Sequence, residues 1–402
     1  MRIVFVYEKM VLGGVQSLIV RMACAMSKRD IPVKVYYRYI DDVSQNEFEK
    51  NGINIEKYSD KIPNFLSNVE LNDNKVIVFD SDLYLRILNG LRIKKTSSSI
   101  YLYVVHPYTF EKFSIKKPLH RLFKKSYAKY LKKSIINKQI FFMDVECIKF
   151  VDDYYKLHLD RIFYTENVLP LIFDIPDYDK NDISNIVEKK SSKHILTVAR
   201  SSFPFKGYFK GLIEIVKQLN LNYEDCLLTI VTSGEGVSTL QSWIEKSGLN
   251  NISVYCDLSQ NELKELYKDS MCYIGMGTTI LEASRWGTIA IPVAPYTYEC
   301  KSNGLFFSNP EWLLTEIGEG ENCLELIISV LEMDRIQYEN IVMNTYNKVS
   351  NIYSSSAVLE KLQYLFKECD SRKIYDGYPY LFMKMKNIKG NLKNVKKLGD
   401  RK

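Results

Sequence analysis

Arg200 and Lys206 stand six residues apart, directly after the apolar run ILTVA. A guanidinium fork and an ammonium point charge on one strand–helix loop can clamp a diphosphate. Ser233–Gly234–Glu235–Gly236 follows the run LLTIVT, and Gly275–Met276–Gly277–Thr278–Thr279 precedes an amphipathic stretch that carries Glu282. Small residues at a helix start let backbone N–H groups approach a phosphate. A carboxylate one turn further in can accept hydrogen bonds from the paired hydroxyls of a ribose. Gly13–Gly14 opens a helix after the first apolar run, without the GxGxxG spacing of a dinucleotide site. His106 ends the run YLYVVH, where an imidazole could stand beside a reacting sugar. Each feature also has a plain reading: solvated cations, a glycine turn, a surface carboxylate, a packing histidine. Asp80–Ser81–Asp82 has the letters of a metal-binding triplet, but it follows the run VIVF and is read as a helix cap. No metal ligand is expected.

Elements must bring these residues together, and the chain supplies a repeating rhythm. Apolar runs at residues 3–7, 33–37, 76–79, 100–105, 139–142 and 162–164 read as strands, with helix-length stretches between most of them, such as 15–27. The rhythm restarts at His194. Strands are expected at 194–199, 226–232, 252–255, 272–274 and 289–293, and helices at 208–219, 237–246 and 280–286. Ser259 with Glu262 forms a capping box for a further helix. Short apolar strands alternating with helices are the pattern of parallel sheets built from right-handed crossovers. Two series predict two doubly wound domains, and in such sheets ligands bind at the C-terminal ends of the strands. The expected organisation is a first domain over 1–173, a polar linker over 174–193, a second domain over 194–350, and a helical C-terminal segment with a basic tail over 351–402.

Composition narrows the class. The 402 residues are 46% hydrophobic and include 19 Phe and 29 Tyr, which excludes a wholly disordered chain. No apolar run approaches the ~18 residues of a membrane span, and the N-terminus MRIVFVYEKM lacks the pattern of a signal peptide. No two of the eight Cys lie within four residues of each other, which argues against zinc ribbons and redox pairs. They are read as buried reduced thiols of a cytoplasmic protein, with Cys226, Cys256 and Cys272 in apolar runs. The net charge is +7, and residues 383–402 alone hold seven Lys and one Arg against Asp400. A second basic block runs over 92–138. Two basic segments on a balanced chain suggest an anionic surface as partner. Neither block carries a nucleic-acid motif, so no nucleic acid is expected.

Taken together, the segments GGVQSLIVRMACAMSKRDIPVKVY, YLYVVHP, ILTVARSSFPFKGYFKGL, LTIVTSGEG and GMGTTILEASRWGTIAIPV resemble GT-B-fold glycosyltransferases, most of all glycosyltransferase family 4. The resemblance spans some 300 residues in family order. It implies an α/β GT-B fold, two Rossmann-like domains facing across a cleft, acceptor side first and nucleotide-sugar side second. It implies that Arg200 and Lys206 hold the donor diphosphate and stabilise the leaving group, that Glu282 binds the ribose, and that His106 lies beside the transferred sugar. Gly13 and Gly14 would approach the donor phosphate or the acceptor. Gly234, Gly277, Thr278 and Thr279 complete the donor-binding set. The implied reaction is hexosyl transfer from a UDP- or GDP-sugar, retaining, with neither metal nor further cofactor. Preorganised cations and helix N-termini would stabilise the departing nucleoside diphosphate. One departure stands out. The family has Glu-x7-Glu ending at Glu282, and its first Glu falls on Ile274. That puts the sugar and the stereochemical outcome in doubt. It also keeps open a catalytically silent relative serving as subunit or sensor, beside a GT-B epimerase.

The stretch KKPLHRLFKKSYAKYLKKSIINK places Leu119, Leu122, Phe123, Tyr127, Tyr130 and Leu131 on one half of a helix. Arg121, Lys124, Lys125, Lys129 and Lys132 lie on the other. It reads either as a surface helix or as a seat on anionic lipid. The tail repeats the theme, with Leu381, Met385, Ile388, Leu392 and Val395 in one stripe beside Lys386, Lys389, Lys393 and Lys396. Related enzymes reach lipid-linked acceptors. The expectation is a cytoplasmic enzyme, peripheral on the inner face of the cell membrane, that builds a capsule or O-antigen on a lipid-linked glycan.

Overall fold

The computed structural model describes residues 2–11, 13–58, 74–94, 99–110, 118–190, 193–223, 225–256, 258–316 and 318–369. The chain forms two compact units, Met1–Ile172 with Ser355–Lys402, and Phe173–Ser354.

The first unit runs β1 (Arg2–Met10), α1 (Gly14–Ser27), β2 (Val33–Ile40), α2 (Asp42–Lys50), β3 (Ile55–Lys57), β4 (Asn74–Val78), α3 (Ser81–Lys94), β5 (Ser99–Val104), a 3-10 turn at Pro107–Thr109, α4 (Pro118–Ile136), β6 (Ile140–Phe142), α5 (Val145–Tyr155) and α6 (Phe163–Glu166). Its sheet has the order β3-β2-β1-β4-β5-β6, all parallel. Ile3, Val4, Phe5 and Val6 are consecutive and all buried. A strand covered on both faces needs such an unbroken apolar run. The order reverses between β1 and β4, so their C-terminal ends flank the crevice that doubly wound sheets use for ligands.

The second unit runs α7 (Lys180–Glu188), β7 (His194–Val198), α8 (Tyr208–Leu219), β8 (Leu227–Thr232), α9 (Val237–Ser247), β9 (Ile252–Cys256), α10 (Gln260–Asp269), β10 (Cys272–Gly275), α11 (Thr278–Arg285), β11 (Ile289–Pro292), β12 (Lys301–Ser302), β13 (Glu321–Asn322), α12 (Leu324–Leu331) and α13 (Arg335–Tyr353). The main sheet has the order β11-β10-β7-β8-β9, parallel throughout. Its switch point lies between β7 and β10. Ile195, Ile230, Ile274 and Ile291, one from each of four strands, are fully buried in one apolar cluster with Leu212, Val216 and Val330.

Three expectations are corrected. Residues 174–193 are not a bare linker. Asp179 and Asp182 form a reciprocal capping box, and the helix they start buries Ile183 and Val187 in the second core. Residues 162–164 are not a strand, because Ile162 is exposed and the chain turns through α6, with the Tyr164 hydroxyl donating to Asp152 at 2.6 Å. The C-terminal helix α14 (Ser355–Glu368) belongs to the first unit rather than to a separate segment. Phe366 packs 4.7 Å from the Tyr101 ring of β5. Asp80 acts as the cap read from the sequence, its carboxylate accepting from Leu83 N–H at 2.7 Å. The Ser259–Glu262 box is present as well.

The basic helix α4 buries Tyr127, Leu131 and Ile135 in the first core. Among its described cations, Lys124 lies 4.2 Å from the Tyr154 ring and Lys132 donates to the His158 carbonyl at 2.9 Å. Lys125, Lys129 and Lys133 are exposed. The stripe of the basic tail lies outside the described residues. Among the described residues no helix is long and apolar enough to cross a membrane. Cys147, Cys226, Cys272, Cys300 and Cys323 are buried free thiols, whereas Cys256, expected to be buried, is exposed on the edge strand β9.

Candidate functional site

Three loops leave the C-terminal ends of β10, β7 and β8, the middle strands of the second sheet. The β7 loop begins with Arg200, whose exposed side chain makes no hydrogen bond or ion pair among the described residues. Ser201 next to it is buried, and its hydroxyl lies 2.6 Å from that of Thr232 at the end of β8. Ser201 N–H donates to the Ser233 carbonyl at 2.8 Å, and Gly236 N–H donates to the Ser201 carbonyl at 3.0 Å. The Arg200 loop and the glycine turn Ser233–Gly236 are therefore laced into one surface, with Gly234 exposed at its rim in a left-handed conformation.

Lys206 ends the same loop. Its ammonium sits 4.9 Å from the Phe205 ring and has no carboxylate partner among the described residues. Burial pushes it down from its ordinary 10.5 to about 8. A half-buried cation that no described acid neutralises favours an anion from solution. Gly207 is sterically required, because a Cβ there would lie 2.5 Å from the Thr297 carbonyl oxygen. That contact, with Tyr296 N–H donating to the Phe205 carbonyl at 3.1 Å, seats the loop against residues 294–299 after β11.

The β10 loop brings the third element. Gly277 adopts φ +77° as it starts α11, a conformation that disfavours side chains, and no side chain caps the helix. Its own N–H donates to the Leu313 carbonyl at 2.6 Å. The first N–H groups of α11, on Thr278 and Thr279, lack partners within the helix. Thr278 is exposed, and the Thr279 hydroxyl donates to the Met276 carbonyl at 3.1 Å. Glu282 is partly buried one turn in. It lies 3.9 Å from Arg285, and its charge helps to raise the pKa of the Tyr267 and Tyr273 phenols, mainly a consequence of burial. The Tyr273 hydroxyl, which feels the Glu282 charge, donates to the Val198 carbonyl at the end of β7 at 3.1 Å.

Ile274 does not line this surface. Its side chain is fully buried in the core, on the strand face opposite Tyr273. The position of the family's first Glu is thus held by a core side chain.

In the first unit, Gly13 and Gly14 follow β1 at the switch point. Gly13 is extended, and a Cβ at Gly14 would meet nothing within 4 Å, so local packing demands glycine at neither position. His106 follows β5 and is exposed, its carbonyl accepting from Thr109 N–H at 3.0 Å. Asp144, at the end of β6, was not singled out in the sequence. Burial raises its carboxyl pKa, and the neighbouring His106 opposes that rise. The only sequence signal was its cap position before Cys147, to whose N–H it is bonded at 2.7 Å.

Among the described residues no three His, Cys, Asp or Glu side chains form a metal-ligand cluster. Residues 179–347, within the second unit, match the family model described as glycosyl transferases group 1. A glycosyltransferase from Rickettsia africae superposes with a TM-score of 0.63 at 14% identity, over 92% of this chain and 98% of that one. HepE of Anabaena, solved with UDP and glucose, superposes at 0.59 and 15% identity, over 91% and 99%. The lipopolysaccharide outer core galactosyltransferase WaaB superposes at 0.56 and 14% identity, over 91% and 99%. No curated protein sequence matches the chain. The fold is that of the GT-B glycosyltransferases, as the resemblance implied. Nothing in these matches singles out family 4 within them.

Proposed function

We propose that this chain, a GT-B fold with a group 1 glycosyl transferase match in its second unit, transfers a hexose from a nucleoside-diphosphate sugar to a glycan acceptor. The observation that carries the reading is the pair Arg200 and Lys206. They are two cations on one loop, without acidic partners among the described residues, beside the uncapped start of α11. Charge builds on the departing diphosphate as the glycosidic bond breaks. Fixed cations and backbone N–H groups lower that barrier without reorganising. Glu282 accepts from the ribose hydroxyls. Gly234, Gly277, Thr278 and Thr279 offer close backbone approach, and Gly13 and Gly14 keep the role the resemblance gives them, approach to a phosphate or to the acceptor. His106, held near Asp144, serves the transferred sugar.

UDP and GDP are the two bases to test first, and the UDP bound in HepE favours UDP. We assign transfer a retaining, metal-independent course. The acceptor reading is a lipid-linked glycan of a surface polysaccharide, a capsule or O-antigen, reached from the cytoplasmic face of the membrane by a peripheral protein. The lipopolysaccharide role of WaaB and the exposed lysines of α4 support it. The test is release of nucleoside diphosphate from a panel of UDP- and GDP-hexoses, with and without a membrane-lipid extract as acceptor. One donor should turn over, and the Arg200→Ala/Lys206→Ala variant should not. Tight donor binding without turnover would instead favour a silent subunit or sensor.

A further inference from the structure

In the second unit β12 and β13 pair antiparallel as a small two-stranded sheet of their own, and the chain between them makes an excursion whose neck they close. Beneath the neck, Cys300 and Cys323 are buried, and Cys323 N–H donates to the Cys300 carbonyl at 3.0 Å. The excursion borders a half-open pocket of about 210 Å³, lined chiefly by the apolar Leu305, Trp312 and Leu314 and the polar Asn303, Asn309 and Glu316.

The size limits the occupant. Pockets for drug-sized ligands run to roughly 300–1,000 Å³, so this one suits a single small ring. The lining limits its chemistry further. The Trp312 ring with Leu305 and Leu314 offers apolar surface, while two exposed amides and a carboxylate offer both donors and acceptors. No Lys or Arg lines the cavity, and Glu316 does, which disfavours phosphate or carboxylate ligands. A purely apolar ligand would desolvate the amides without replacing their hydrogen bonds. A neutral ring with C–H faces and a rim of hydroxyls matches both the apolar and the polar side of this pocket.

The cavity hangs on the strand ends that carry the cations. Gly277 N–H donates to the Leu313 carbonyl at 2.6 Å. The Thr315 hydroxyl donates to the Pro292 carbonyl at 2.8 Å, and Thr315 N–H to the Val293 carbonyl at 3.2 Å. One wall is thus tied to the start of α11 and another to the end of β11.

We propose that this cavity is a pyranose subsite that takes one neutral hexose ring of a glycosyl substrate. The inference rests on the sugar-transfer reading only for the ring's role. Binding itself is measured apart from it. Methyl glycosides of glucose, galactose, mannose and N-acetylglucosamine are titrated into the full chain by ligand-observed saturation-transfer NMR, with and without UDP. At least one should give a saturable signal. Asn309→Ala and Trp312→Ala should each weaken it about tenfold or more, about 1.4 kcal/mol, with unchanged circular dichroism. A ring that still binds with UDP present and is not displaced by a UDP-sugar belongs to the acceptor. A ring displaced by the UDP-sugar but not by UDP belongs to the donor. No saturable signal from any of the four, or equal binding by both variants, overturns the subsite. Calorimetry of UDP on the same samples reports the Arg200–Lys206 site independently, so either reading can fail alone.

Discussion

Lys206 carries a conflict between stability and binding that can be measured. Burial moves its ammonium from 10.5 to about 8, and no carboxylate among the described residues compensates. Each pH unit is 1.36 kcal/mol, so holding the charge in the empty protein costs on the order of 3 kcal/mol. That is an upper bound, because the side chain keeps some contact with water and gains about 0.5–1 kcal/mol from the Phe205 ring. The folded state binds fewer protons than the unfolded chain between pH 8 and 10.5. The penalty is therefore fully present below pH 8 and is relieved as pH rises towards 10.5. Lys206→Met keeps the aliphatic stem and removes the charge. It should raise the melting temperature of the empty protein at pH 7 by about 2–4 °C per kcal/mol recovered. The same change removes a charge-assisted bond of about 1.5–3 kcal/mol to the diphosphate, a loss of about 10- to 150-fold in UDP affinity. Wild type with UDP at 100 times its dissociation constant should gain about 2.7 kcal/mol, and the variant should gain far less. Wild-type UDP affinity should also fall as pH rises above about 8, where the free lysine loses its proton. Differential scanning fluorimetry with and without UDP, from pH 6.5 to 9.5, measures all three. A variant that melts lower than wild type yet keeps its UDP-induced shift would show that Lys206 neither carries a burial penalty nor holds the diphosphate.

Other sites yield equally direct outcomes. Glu282→Gln should weaken UDP binding by calorimetry while leaving the melting temperature of the empty protein nearly unchanged; unaltered affinity removes the ribose role. Ile274→Glu places a carboxylate in the apolar cluster of β7, β8 and β11, where burial raises its pKa. The folded variant then binds more protons than the unfolded chain, so its stability relative to wild type should fall between pH 5 and 8, and a flat difference would contradict the core placement. Truncation after Tyr380 should release the protein from anionic vesicles and cut transfer to a lipid-linked acceptor. Binding of the intact chain should weaken between 0.1 M and 1 M salt, where the Debye length drops from about 10 Å to ~3 Å. Equal flotation of truncated and full-length protein removes the tail as anchor.

Much of the fold was legible because parallel strands advertise themselves. The runs at β1, β5, β7 and β8 are continuous and apolar, and Tyr208–Leu219 carries a clean helical stripe that the structure reproduces residue for residue. Caps at Asp80 and Ser259 were readable because one side chain at one spacing makes them. The misses have physical causes. Helix α7 buries only Ile183 and Val187, so most of its residues look like loop. Helix α14 returns to the first unit through contacts such as Phe366 on Tyr101, more than 250 positions apart, which no local pattern reveals. Around the candidate site, the cation loop and glycine turns were visible as composition. The Ser201–Thr232 lacing, the approach of Asp144 to His106, and the burial of Ile274 depend on which strands become neighbours.

The central claim is that Arg200 and Lys206 together hold a nucleoside diphosphate. Titration calorimetry of UDP and of GDP into wild type and into Arg200→Ala/Lys206→Ala tests it most directly. One site per chain is expected for at least one nucleotide, with a loss of more than about 100-fold in the double variant, as two charge-assisted contacts of about 1.5–3 kcal/mol each require. Wild-type affinity in the double variant, or no binding of either nucleotide to the wild type, would contradict it.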